Sequence, residues 1–321
     1  MNGTAQLYLG VDGGQSSTTA LIGNAQGDIL GRGTDGPCNH VKSAAEGREK
    51  FVRVIGGCVA QACQQAGLDA STVRFNAACL GFSGGPADKE DILREIVAAE
   101  KMLVTTDAMI ALTGAAAGGP GIIVIGGTGS ISFGRDAVGR VARAGGWGYI
   151  FGDEGGAFDI ARQALRASLR HHEGWGAKTI LHDRLLAVTG AKDMNELLHL
   201  WYTDEYPRSR VATFAPMVDE AAKAGDRVAG DILSRMARQL TLLAMAVRNQ
   251  LFKEGDEVHI APIGGVWQSE LLLQHFTNFV HVVEGNRVAP PRYAPAVGAL
   301  LEAYQLAGVT PHLANVPETH K

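Results

Sequence analysis

Two short segments carry the residue types of a phosphate cradle. Asp12-Gly13-Gly14-Gln15-Ser16-Ser17-Thr18 joins two strand-like runs, Leu7–Val11 and Thr18–Ile22. Its glycines let backbone N–H groups approach a phosphate, and its hydroxyls add donors. Asp12, at the strand end, is placed to hold Mg²⁺ through water. A plain Asp-Gly turn has the same look. Gly126-Gly127-Thr128-Gly129-Ser130 is the second segment, again between two strands, Gly121–Ile125 and Ile131–Phe133. A helix follows neither, so neither is a Walker loop or a Rossmann fingerprint. Two such loops in repeated strand pairs are more specific than one, and together could grip a nucleoside triphosphate.

Three further segments could do chemistry. Val104-Thr105-Thr106-Asp107-Ala108 sets a carboxylate where a strand meets a helix. Such a carboxylate caps the helix, or acts as general base toward a substrate hydroxyl in phosphoryl transfer, and both can hold. The stretch Gly145-Gly146-Trp147-Gly148-Tyr149-Ile150-Phe151-Gly152-Asp153-Glu154-Gly155-Gly156 is dense in glycine, with two acids and three aromatics. Carboxylates beside an aromatic face suit the vicinal hydroxyls of a sugar. A structured loop whose Asp153 and Glu154 cap the next helix would read the same way. Gly264-Gly265-Val266-Trp267-Gln268-Ser269 follows a strand and opens a helix. There glycine lets a flat base lie against the backbone, and Ser269 suits an N-cap.

The elements that would position these segments form an α/β pattern. Strands are expected at Leu7–Val11, Thr18–Ile22 and Ile29–Gly33, as an antiparallel meander. A helix over Ser43–Ala66, a buried strand Phe75–Phe82, a helix Asp88–Glu100 and a strand Met102–Thr105 follow. The order then repeats with Gly121–Ile125, Ile131–Phe133 and Val138–Ala142, a second meander of low residue identity to the first. Helices are expected at Gly155–Arg170, Ala177–Val188, Met194–Trp201, Phe214–Ala224 and Arg227–Phe252. A strand Val258–Ile263 and helices Ser269–Phe279 and Ala294–Ala307 complete the chain. Ligands bind at the carboxyl ends of strands in such sheets, where these loops fall.

The ordered set DGGxSST, TTDA, GGTGS, GGWGxxxGDEGG and GGVWQS resembles the N-acetylglucosamine kinase branch of the BadF/BadG/BcrA/BcrD ATPase family, within the actin and sugar-kinase superfamily. The resemblance runs from Leu7 to about Leu306. It implies two ribonuclease-H-like (actin-like ATPase) domains flanking an interdomain cleft, spanning 1–117 with 294–321, and 118–293. By position, Asp12 would hold Mg²⁺. Gly13, Gly14, Ser16, Ser17, Thr18, Thr128, Gly129, Gly264, Gly265 and Ser269 would bind ATP. Asn39 and His40, with Asp107, Gly146, Trp147, Asp153 and Glu154, would bind the sugar, and Asp107 would be the catalytic base. Gln15 departs from the third glycine of many members. The implied activity is ATP- and Mg²⁺-dependent phosphorylation of the 6-hydroxyl of N-acetylglucosamine. The alternatives are a glucosamine or N-acetylmuramate kinase, or a non-catalytic sugar sensor.

Composition excludes other classes. Twenty-nine basic against 33 acidic residues leave a net charge of −4, with no run of Lys or Arg to attract nucleic acid or an anionic membrane. No apolar run approaches the ~20 residues of a membrane span. Cys38, Cys58, Cys63 and Cys79 contain no CxxC pair, so zinc and iron–sulfur sites are not expected and the thiols are read as reduced. Their early position also argues against the cluster-bridging activators within the family, and the absence of a cysteine-rich sugar loop argues against the ROK kinases. With no basic or apolar leader before Leu7, the expected location is cytoplasmic. The expected partners are ATP, an amino sugar and a second copy as a homodimer, with neither nucleic acid nor membrane. His171, His172 and His182 are read as helix-surface residues rather than ligands.

The loops and the implied sugar residues are divided between the two halves, so full binding should require the halves to approach. Solution scattering should show a smaller radius of gyration with sugar, and smaller still with a non-hydrolysable ATP analogue. Identical profiles without and with both ligands would exclude closure.

Overall fold

The computed structural model describes residues 6–14, 16–38, 44–83 and 89–317. Its elements run β1 (Leu7–Gly13), β2 (Thr18–Asn24), β3 (Ile29–Asp35), α1 (Ala44–Gln65), β4 (Phe75–Phe82), α2 (Glu90–Ile96), β5 (Ala99–Thr106) and α3 (Asp107–Ala115). Then come β6 (Gly121–Gly126), β7 (Ser130–Arg135), β8 (Val141–Gly145), α4 (Ala157–His172), α5 (Leu181–Thr189), α6 (Met194–Trp201), α7 (Arg208–Ala212) and α8 (Ala215–Lys223). Last are α9 (Arg227–Leu251), β9 (Val258–Ile263), a 3₁₀ turn (Gly265–Gln268), α10 (Glu270–Val280), β10 (Asn286–Val288) and α11 (Pro295–Ala307). Two compact units result, 1–119 with 291–321, and 120–290.

The first unit is a five-stranded sheet in the order β3-β2-β1-β4-β5. β1 pairs antiparallel with β2 and parallel with β4, and β4 pairs parallel with β5. Both faces of β1 are buried, which is why Leu7–Val11 is a continuous apolar run rather than an alternating one. Leu7, Leu9 and Val11 face the α1 side with Phe51, Ile55 and Phe82. Tyr8 faces the other side with Leu300 and Tyr304 of α11. There α11 lies directly on the strand: a Cβ on Gly10 would strike the backbone of Leu300.

The second unit repeats the plan. Its sheet runs β10-β9-β6-β7-β8, with β6 antiparallel to β7 and parallel to β9. Read from either end, this is the meander-plus-two-parallel-strands order of the first unit, so the repeat expected from the sequence is present in topology. Ile122 and Val124 of β6 join Leu240, Ala244 and Val247 of α9 in one apolar core. Among the described residues, no helix is long and apolar enough to cross a membrane. All four cysteines are free and buried, and burial pushes the Cys58 thiol up to about 12.

Several expected boundaries move, each for a local reason. The helix expected over Asp88–Glu100 is only α2. Val97 turns extended (φ −126°, ψ 112°) and β5 starts at Ala99, where it pairs with Phe75. Val138 is in a turn rather than a strand, because the Asp136 carboxylate gathers the N–H groups of Val138 and Arg140. The helix expected from Ala177 begins at Leu181, because Ile180 N–H and Thr179 Oγ1 bind Asp226. The Gly264–Ser269 corner makes a 3₁₀ turn before its α-helix. The short α7 and β10 were not expected at all.

Asp226 is therefore one carboxylate holding two helix starts, since it also accepts from Ala229 N–H as the N-cap of α9. Burial raises its carboxyl, but the hydrogen bonds from Ala229, Ile180 and Thr179 outweigh this and hold it below the ordinary value. Asp226→Ala should destabilise the chain by about 1–2 kcal/mol in urea unfolding, as loss of a side-chain cap does. A depressed carboxyl stabilises above its unfolded pKa and loses that contribution as pH falls through its folded one. The gap between wild type and Asp226→Ala should hence shrink in acid.

Candidate active site

In the first unit three side chains stand at the carboxyl ends of adjacent parallel strands. Asp12 is the penultimate residue of β1, opposite Gly81 of β4. Ser83 follows β4, and Asp107 follows β5. Thr106, not Asp107, caps α3, its hydroxyl accepting from Met109 N–H at 3.2 Å. Asp107 is instead the first residue of the helix. Its Oδ1 accepts from Ala108 N–H at 2.8 Å and its Oδ2 from the Ser83 hydroxyl at 2.7 Å. The capping reading of Asp107 therefore fails, while its carboxylate remains fixed in direction.

Asp12 is in a different situation. Burial, and then the negative charge of Asp107, push its carboxyl up from 3.8 to about 6. A half-buried carboxylate facing a second one attracts a cation. Mg²⁺ is commonly held by one or two carboxylates together with substrate phosphates, so this donor pair fits it. Among the described residues no cluster of three or more metal-ligating side chains forms, so a cage made wholly of protein is not indicated.

In the first loop, Gly14 N–H donates to Ser17 C=O at 3.0 Å, closing the turn. Ser16 and Ser17 are exposed. Thr18 is buried, and its hydroxyl is spent on Gly36 C=O at 2.9 Å, so its side chain is not a free donor. Gly13 is packed under the Phe82 ring. Cys38 is buried beside it, and burial raises its thiol, which makes it an inert cysteine. Asn39, His40 and Gln15 lie outside the described residues.

In the second unit, Thr128 is exposed at the loop between β6 and β7. The carbonyls of Gly127 and Thr128 accept from Ala157 and Phe158 N–H, the first donors of α4. Gly156 caps α4 with no side-chain bond, so neither Asp153 nor Glu154 is its cap. Asp153 sits at φ 65° and is buried. It accepts from Ser130 N–H at 3.3 Å and pairs with Arg208. Glu154 is exposed, and its carbonyl accepts from Ser130 Oγ. Gly146 has φ 73°, and Trp147 is 67% exposed with Arg143 stacked on its ring at 4.5 Å.

A cavity of about 520 Å³ lies in this same unit. Thr128, Ile160, Ala212, Asp219, Val266 and Ser269 are among its walls. Gly264, at φ 109°, lies against Gly126 C=O, where any Cβ would collide. Gly265 also lines the cavity. Ser269 caps α10 and donates its hydroxyl to Asp219, which also pairs with Lys223. Three residues here had no sequence signal. Ser83 is a lone serine at a strand end. Arg208 and Asp219 lie 55 and 50 residues from their partners Asp153 and Ser269.

The raised Asp12 carboxyl has a stability consequence of fixed sign. A group whose pKa is raised on folding stabilises fully below its unfolded value and loses that contribution as pH rises through its folded one. The stability advantage of Asp12→Asn over the unliganded wild type should therefore grow between pH 4 and pH 6.5 in urea unfolding. A pH-independent difference would show that Asp12 is solvated.

An N-acetylmuramic acid/N-acetylglucosamine kinase of Clostridium acetobutylicum is 34% identical over 283 residues, covering 86% of this chain and 91% of that protein. An N-acetyl-D-glucosamine kinase of Dictyostelium discoideum is 28% identical, over 78% of this chain and 82% of that one. The solved structure of a candidate N-acetylglucosamine kinase from Chromobacterium violaceum superposes with a TM-score of 0.71 at 26% identity, covering 94% and 99% of the two chains. With a family pattern matched across residues 9–303, the chain belongs to the BadF/BadG/BcrA/BcrD ATPase family.

Proposed function

We propose that this chain is an ATP-dependent amino-sugar kinase that transfers the γ-phosphoryl group of ATP to the 6-hydroxyl of N-acetylglucosamine. The observation that carries the reading is the Asp107 carboxylate. It is fixed by Ser83 and Ala108 at the end of β5, with a second carboxylate, Asp12, close enough to raise its own proton affinity. Each Asp107 oxygen accepts one hydrogen bond and keeps a further lone pair for a substrate hydroxyl. Asp107 takes the hydroxyl proton as the sugar oxygen bonds to the γ-phosphorus and the bond to the ADP oxygen breaks.

Asp12 would hold the magnesium ion, which when bound neutralises charge on the phosphates. Thr128 and Gly129, with Gly13, Gly14, Ser16 and Ser17, serve the phosphates. The cavity beside Gly265 and Ser269 takes the nucleoside, with apolar walls for the base and Asp219 at its polar edge. Gly146, Trp147 and Asp153 serve the sugar, together with Asn39 and His40. Positioning and charge stabilisation supply most of the rate in such transfers, so fixed donors matter more than covalent chemistry. A second reading, N-acetylmuramate as the phosphoryl acceptor, is favoured by the 34% identity to an N-acetylmuramic acid/N-acetylglucosamine kinase.

ADP release should be measured over N-acetylglucosamine, N-acetylmuramate and glucosamine, with identification of the phosphorylated position by NMR. Turnover of none of the three would overturn the reading. Asp107→Asn keeps the size and the bond from Ala108 but cannot take the proton. Its kcat should fall by about 10²–10⁴-fold with little change in sugar affinity. A near-normal kcat would reduce Asp107 to a structural residue.

A further inference from the structure

Asp153 lies on a stretch poorly able to hold it. Gly145, Gly146, Gly148 and Gly155 all have positive φ, as does Asp153 itself. Glycine-rich backbone of this kind is costly to order. Yet the Asp153 side chain is only 8% exposed, and a buried carboxylate needs partners. One comes from the second loop, Ser130 N–H on Oδ1. The other comes from well outside the stretch: Arg208, at the start of α7, binds Oδ2 through Nη2. Its guanidinium lies 5.4 Å from the Tyr149 ring centre and 5.8 Å from that of Phe158. Gly129 makes room for the pair, since a Cβ there would strike both the carboxylate and Nη2.

The arrangement is not what self-satisfaction of the arginine would produce. Among the described residues, Arg208 Nε is buried with no hydrogen-bond partner. An unpaired buried donor is unfavourable, and such groups call for an explanation beyond stability. The two hydrogen bonds on Asp153 leave two of its four lone-pair positions open. That is the number two neighbouring sugar hydroxyls would use. Val211, on the same short helix, is buried against Ala161, Tyr206 and Phe214, so α7 is anchored by packing independently of the ion pair.

We propose that Arg208 is a positioning residue for sugar recognition, pinning the Asp153 carboxylate against Gly129 and Ser130 with its remaining lone pairs presented to the substrate hydroxyls. This rests on the amino-sugar kinase reading above. It predicts a loss confined to the sugar. A fork-shaped guanidinium fixes direction as well as charge, so lysine should recover only part of it.

The test is a steady-state comparison of wild type, Arg208→Met, Arg208→Lys, Asp153→Asn and the Arg208→Met/Asp153→Asn double variant. Arg208→Met should raise KM for N-acetylglucosamine about 10- to 100-fold, with KM for ATP changing less than about threefold. Its melting temperature should fall, because the buried Asp153 carboxylate loses its cation, and the double variant should recover part of that fall. Arg208→Lys should fall between, and serves as the test if the methionine variant does not fold. The double variant should be no worse than the poorer single one, because Arg208 acts through Asp153. Losses that multiply in the double variant would overturn the proposal, as would ATP and sugar KM values rising by the same factor. Unchanged sugar KM in Arg208→Met, beside an active wild type, removes Arg208 alone. A wild type that phosphorylates no amino sugar removes the kinase reading and this role with it.

Discussion

Negative charge withdrawn from water at the ends of neighbouring parallel strands is the constraint around which the first unit is built. Asp12 and Asp107 sit one strand apart on either side of β4, and burial together with the charge of Asp107 disfavours the ionisation of Asp12. The fold treats them unequally. Asp107 opens α3, where anions are favoured, and it receives two hydrogen bonds. Asp12 is left with burial and a like charge, and its proton affinity rises to about 6. In the proposed function Asp107 is the base and Asp12 the carboxylate that a cation would neutralise.

The scaffold that holds this arrangement is rigid where it must be. β1 is sandwiched between α1 and α11, and α11 approaches so closely that Gly10 admits no side chain. α11 (Pro295–Ala307) lies far from β1 in sequence, so this face of the strand bearing Asp12 is covered by a long-range contact. The Tyr304 hydroxyl donates to Asn24 C=O on β2, and burial of the ring against Tyr8 raises it well above its ordinary range.

The second unit uses the same sheet for a different end. Between β8 and β9 it carries α4 to α9, and these build what its sheet lacks. α4 binds the carbonyls of the Gly127–Thr128 loop and so fixes that loop's shape. α7 and α8 wall the cavity and supply Arg208 and Asp219. An aromatic group of Trp201, Tyr206 and Phe214 packs behind α7, giving a five-residue helix a firm seat.

Much of this was legible in the sequence, because it depends on near neighbours. The apolar runs Leu7–Val11 and Gly121–Ile125 and the glycine turns after them declare strands and loops locally, and the order of elements then dictates an α/β topology. Asp107 was legible as a carboxylate at a strand–helix junction for the same reason. Boundaries set by side chains reaching across a turn were not: Asp136 removed Val138 from its strand, and Asp226 delayed α5. Nor were Ser83, Arg208 and Asp219, whose meaning lies wholly in what they touch. The sequence by itself determined the repeated element order and the short-range glycine and acid motifs, since these follow from spacing along the chain. Only the tertiary structure decided which distant side chain meets which carboxylate, and which hydroxyl, such as that of Thr18, is already spent. Hydrogen bonding and burial are set by proximity in space, and that proximity arises from packing rather than from the chain's local order.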